Sequence, residues 1–150
     1  IGDPAAVDKL AERLNDKDPG TRGAAAWALG RIGGDKAGKV LQQSFETGDV
    51  DVVAGAYDYF IRRGQTGSEP VLIEALTRYG DARMAASFYY CGNSRLKKAA
   101  RDWAKAHDIK FFHDFGDTGK NPKAPPKPIE ELSPEQMKFY GMPRWGEKSD

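Results

Sequence analysis

Cysteine is almost missing from this chain: Cys91 stands alone among 150 residues. An intrachain disulfide is thereby excluded, as is a cysteine-rich metal cluster. Histidine is nearly as scarce. Neither His107 nor His113 is followed by Glu, so the His-Glu iron ligands of helical-repeat hydroxylases are lacking, and no His-x-x-x-His metal pair exists. No glycine loop leads into the Lys-Ser or Lys-Thr that would cradle a phosphate, and Gly33-Gly34-Asp35-Lys36 reads as the stop of one helix and the start of the next. No apolar run approaches the ~18 residues that would cross a bilayer. Excess charge is absent as well: 23 Lys and Arg face 22 Asp and Glu, for a net charge of +1. Such a balance gives no strong pull toward nucleic acid or an anionic membrane. The first residue is Ile1 rather than Met. That fits both a cleaved signal and a trimmed chain, and export to periplasm or cell surface is favoured over the cytoplasm.

What the chain does have is repetition. Leu10 and Leu14 return 31 residues later as Leu41 and Phe45, and 31 later again as Leu72 and Leu76. An acidic turn follows each pair: Asp16 to Asp18, Asp49 to Asp51, then Asp81. A second apolar helix follows each turn. Units of this period stack and share one core, and none buries its apolar face alone. The first helix runs over 4–14, with Asp3 as N-cap and Pro4 at N1. Asp18-Pro19 starts the second in the same way, with Ala24, Ala25, Ala28, Leu29 and Ile32 as its stripe. The second unit spans 36–64, with Val40, Leu41 and Phe45 inward on one helix and Val52, Val53, Ala56, Tyr59 and Phe60 on the other. Ser68, as N-cap before Pro70, opens the third, which carries Leu72, Ile73, Leu76 and then Met84, Ala85, Phe88 and Cys91. The inner helices are expected at 19–33, 50–63 and 82–91. Cys91 shares its register position with Leu29 and Phe60 and reads as a core thiol. A closing helix over 94–107, capped by Asn93 or Ser94, buries Leu96, Ala99, Ala100 and Trp103.

The first unit carries a resemblance. Asp16-Lys17-Asp18-Pro19-Gly20-Thr21-Arg22, followed by Ala25-Ala26-Trp27-Ala28-Leu29-Gly30-Arg31-Ile32-Gly33, resembles the HEAT-like repeats of the phycobilisome-lyase type. Thr21 stands where that repeat has Val. The stretch from Cys91 to Leu96, with Ala99, Ala100, Trp103 and Ala104, is similar to the closing helix of bacterial proteins of this kind. The resemblance covers about residues 4–108. It implies an all-α, right-handed alpha-alpha solenoid of about three HEAT-like repeats plus a capping helix. It also implies a scaffold role more than an activity.

Beyond residue 108 the composition changes, and 6 of the 9 prolines fall after residue 120. The expected layout is a solenoid over 1–108 and an extended Pro-rich arm over 109–150, with a short helix near 134–140 opened by Ser133-Pro134-Glu135-Gln136. Residues 122–128 read as polyproline II, reaching about 20 Å at ~3.1 Å per residue. Met137, Phe139, Tyr140, Met142 and Trp145 are too apolar for a solvated tail and must dock. A docking site on another subunit is favoured over folding back.

On the inner helices Trp27 aligns with Asp58 and Tyr89, and Arg31 with Arg62 and Asn93. An aromatic beside an arginine suits a protein-binding hot spot. Trp27, Arg31, Asp58, Arg62 and Tyr89 are therefore candidate partner-binding residues, together with the five apolar arm residues. The expected function is a non-enzymatic interaction scaffold or assembly subunit of a larger bacterial complex. Its partners are other protein subunits, with no nucleic acid, small-molecule substrate, cofactor or metal. The runner-up is a lyase or chaperone for a tetrapyrrole-bearing protein, with Arg22, Arg31 and Arg62 holding propionates. A nucleic-acid-binding repeat is the other alternative, through Arg95, Lys97, Lys98, Arg101, Lys105 and Lys110. The plainer reading of those cations is a solvated face whose stems cover apolar surface.

Overall fold

Four Asp carboxylates and one Asn amide set where five of the helices begin. Each sits just before a helix in extended backbone and accepts N–H groups that the first turn leaves unpaired. Asp3 accepts from Ala5 at 2.9 Å and Asp18 from Thr21 at 2.7 Å. Asp49 accepts from Asp51 and Val52, Asp81 from Met84, and Asn93 from Arg95 and Leu96. The structure, a computed structural model, describes residues 3–109 and 142–147. Among these it holds eight helices and no strand: α1 Pro4–Arg13, α2 Pro19–Ile32, α3 Gly34–Glu46, α4 Val50–Gly55, α5 Tyr57–Arg63, α6 Glu69–Tyr79, α7 Ala82–Tyr90 and α8 Ser94–Ala106.

Their packing is that of a helical-pair solenoid. The inner row is α2, then α4 with α5, then α7; α2 touches both α4 and α5, and α5 touches α7. On the outer side α1 lies against α3, and α6 against α8. The last helix, α8, closes the stack against α7. The shared core holds Leu29, Leu41, Val52, Val53, Phe60, Ile61, Leu72, Leu76, Phe88 and Leu96, all essentially sealed from solvent. Asn93→Ala should strip the α8 cap and cost about 1 kcal/mol, read as a lower urea midpoint at unchanged m-value.

Four local expectations need correction. The helix expected over 50–63 is two helices, because Ala56 leaves helical geometry at φ −109°, ψ 25°. The break falls where α2 and α4 meet backbone to backbone. A Cβ on Gly55 would lie 2.7 Å from the carbonyl carbon of Gly23 and 2.8 Å from its Cα. Second, Ala24 is exposed while Ala26 is fully buried. Third, Ser68 does not cap α6: its hydroxyl donates to the Gln65 carbonyl at 2.8 Å, and Glu69 takes the Gly67 N–H. Ile61, buried with 0% exposure, was not expected in the core at all.

The fourth correction is the arm. Residues 142–147 lie on this chain's own solenoid rather than on a neighbour. Pro143 is fully buried, and Met142 and Trp145 pack against the core. The Trp145 N–H donates to the Cys91 carbonyl at 2.7 Å, and the Gly146 N–H to Ile61 at 3.0 Å. Arg62 pairs with Glu147 at 3.3 Å. The physical reason lies at the helix ends: the Cys91 carbonyl, just past α7, takes the Trp145 N–H, and the Ile61 carbonyl, which already accepts from Gly64, takes the Gly146 N–H on its second lone pair. Met137, Phe139, Tyr140 and the expected helix near 134–140 lie outside the described residues.

Candidate functional site

The acidic turns that mark the repeat are joined to one another by side-chain contacts. Arg22, on the first turn of α2, donates to the carbonyls of Asp16 at 2.8 Å and Lys17 at 3.2 Å. Its guanidinium pairs with Asp51 and lies 3.8 Å from Asp49. Tyr79, at the end of α6, donates its hydroxyl to the same Asp51. One carboxylate thus joins turns of three successive units. Arg22 is thereby withdrawn from the propionate-holding role that a lyase would need. The recurrence of the turns was visible in sequence; that Arg22 and Tyr79 converge on Asp51 was not, because Tyr79 lies on an outer helix.

Beside these contacts runs a groove of about 300 Å³. Gly20, Gly23, Ala54 and Gly55 line it together with Tyr57, Tyr79 and Met84. Small residues let the inner helices close up and leave the depression above them.

The middle of the inner face carries the candidate residues. Trp27 is 57% exposed, and Arg31, one turn on, lies with its guanidinium carbon 5.3 Å from the indole centroid. That geometry is a cation–π contact, with the ring still open to a partner. Asp58, the residue in register with Trp27, is half-buried; its Oδ1 is shielded and accepts no hydrogen bond among the described residues. Burial pushes its carboxyl up, opposed by the attraction of Arg62, Arg83 and Arg31. Tyr89, third in the register, is not a surface ring. It is 8% exposed, with the Lys97 ammonium 4.9 Å and the Arg101 guanidinium 5.9 Å from its centroid. Lys98 pairs with Asp102 at 2.7 Å. Arg62 is engaged by Glu147, so arm and inner face meet at one of the predicted residues.

Asp51 and Asp58 pull the pH dependence of stability in opposite directions. The Tyr79 hydroxyl, and then Arg22, hold Asp51 below the ordinary carboxylate range. Its contribution is therefore present above the unfolded value near ~3.9 and is lost as pH falls through the lower folded value. Asp58 has a raised folded value, so its stability contribution is fully present below the unfolded value and is lost as pH rises through the folded one. Asp58→Asn is expected to raise the melting temperature at neutral pH, with the gain vanishing near pH ~4. Asp51→Asn is expected to lower it at neutral pH and flatten the acid limb. Thermal melts across pH check both signs.

Cys91 is sealed at 1% exposure, its Sγ donates to the Phe88 carbonyl at 3.2 Å, and burial pushes the thiol up to about 11. Among the described residues no group of three His, Cys, Asp or Glu is placed to hold a metal, and no helix is long and apolar enough to cross a membrane.

Stacked helix pairs with Asp-started inner helices, tied turn to turn by an arginine, define an alpha-solenoid repeat protein. Residues 1–59 match the family model described as HEAT repeats. Over those residues the chain is similar to HEAT repeats, and the all-helical fold is consistent with a solenoid of such repeats. The match reaches HEAT repeats as a class and not the phycobilisome-lyase type that the first unit resembles. No curated protein and no solved structure gives a significant match. HEAT repeats generally mediate protein–protein interaction.

Proposed function

We infer that this protein is a non-enzymatic interaction module, an assembly subunit of a larger bacterial complex, and that it binds other proteins through its inner helices. One observation carries the reading: an indole 57% exposed on an inner helix, with an arginine laid against it. Tryptophan and arginine are the residues most enriched where binding energy concentrates. Two further features support it. The single thiol is buried with its pKa near 11, so it supplies no nucleophile at neutral pH. Of the three guanidiniums that a tetrapyrrole lyase would use, Arg22 is spent on Asp51 and Arg62 on Glu147.

The test compares two immobilised baits in extract of the source cell: the full chain and its Trp27→Ala variant. A discrete set of proteins should elute from the first and be missing from the second. Identical eluates from both baits would overturn the reading. Trp27→Ala should leave the melting temperature nearly unchanged, since the ring is mostly in solvent already.

A further inference from the structure

We propose that the Trp27–Arg31 edge of α2 receives an acidic segment of a partner protein that carries an aromatic or apolar side chain. This rests on the inner-face reading above and specifies the partner's chemistry.

The argument begins with what already lies on this face. Trp145 bonds the end of α7 and Gly146 the end of α5, so residues 145–147 step from the third unit to the second. The segment brings an indole onto the core and a carboxylate onto Arg62. The chain therefore displays, on its own surface, the type of segment that this line of helix ends accepts. The next unit along, reached where α5 adjoins α2, offers the equivalent place: Arg31 stands 31 residues before Arg62. There the arginine faces Trp27, which remains open, so the docking line continues onto a vacant aromatic.

Charge fixes the sign of the partner. Arg31 stands against Trp27 and Arg62 against Glu147, and both, with Arg83, attract the half-buried Asp58 carboxylate. Neither Arg31 nor Arg83 forms an ion pair among the described residues. A basic segment would meet like charge on this face. An acidic one would find the Arg31 guanidinium, as Glu147 finds Arg62, and an indole for its apolar side chain.

The probe is a fluorescein-labelled peptide with Trp between two Glu, titrated against the full chain by fluorescence anisotropy. Its Lys-for-Glu counterpart and a labelled thymidine strand of about ten nucleotides run beside it. The Glu peptide should saturate with Kd in the range of ~10–100 µM. Binding should weaken by about tenfold or more in Trp27→Ala and in Arg31→Glu, and stay unchanged in Arg95→Glu. Circular dichroism establishes that each variant is folded. Unchanged binding in Arg31→Glu, or no binding up to about 1 mM, overturns the proposal. Trp27-dependent binding of the Lys peptide instead leaves the protein-binding reading standing and removes the acidic partner. Trp27-dependent binding of the thymidine strand alone removes both. A concentration-dependent dimer that disappears in Trp27→Ala makes a second copy the occupant and also overturns the proposal.

Discussion

Gly55→Ala is expected to destabilise the protein by about 3 kcal/mol, seen as a melting temperature lower by roughly 10 °C. The added methyl would be driven into the backbone of Gly23, where no side chain can turn aside. Relief requires α2 and α4 to separate, and their contact seals Leu29, Val52 and Val53. The control is the facing glycine. A Cβ on Gly23 meets only the Asp51 carbonyl, at an ordinary 3.5 Å. Gly23→Ala should therefore be tolerated, and even stabilising by about 0.5–1 kcal/mol from helix propensity. Two glycines at one crossing should answer the same substitution with opposite signs. If both variants melt alike, the close approach is not what sets the geometry here.

Removing residues 142–150 is expected to lower the melting temperature by about 5 °C. Burial of Pro143 and part of Met142 and Trp145, with two backbone hydrogen bonds, outweighs the ordering of six residues by about 2 kcal/mol. A point change at the receiving surface should act in the same direction. Gly64 sits at φ +58°, and a Cβ there would collide with Gly146. Gly64→Val should therefore displace the segment and add about 1–2 kcal/mol of left-handed backbone strain. Tryptophan emission should shift to the red as Trp145 leaves the core. By contrast Glu147→Ala breaks only a partly exposed ion pair and should cost under about 1 kcal/mol. An unchanged melting temperature in the truncation would mean that the segment holds nothing together.

The sequence exposed the repeat clearly because its markers are local. Asp-Pro starts, the acidic turns and apolar residues at helical spacing each report on a few neighbouring positions, and the starts after Asp3, Asp18 and Asn93 stand where those residues indicate. Phase was harder to read inside α2. Ala24, Ala25 and Ala26 are chemically alike, so the run cannot say which methyl faces inward. The break at Ala56 falls beside the close approach of Gly55 to Gly23, 32 residues earlier in the chain, although a glycine inside an apolar helix was itself a usable warning. The arm misled for a related reason. Its apolar residues announced docking, but the acceptors are carbonyls of Ile61 and Cys91, which have no sequence signature. On the inner face, side-chain type located Trp27 and Arg31 correctly at the surface. Tyr89 looked equivalent by register yet lies beneath Lys97 and Arg101, because the third unit is followed by α8 and the first two are not.

The inner row of helices is tied across all three units at its starting ends, and between α5 and α7 at its finishing ends. At the starting ends, Arg22 and Tyr79 converge on Asp51; at the finishing ends, the docked segment spans Ile61 and Cys91. An array of helix pairs bends when neighbouring inner helices splay apart at one end or the other. Here splaying at the starting ends, or of α5 from α7 at the finishing ends, must first break a polar tie, so that part of the solenoid should behave as a stiff plate rather than a spring. A partner must conform to its curvature, and force applied along the array should meet a yield point before any gradual extension.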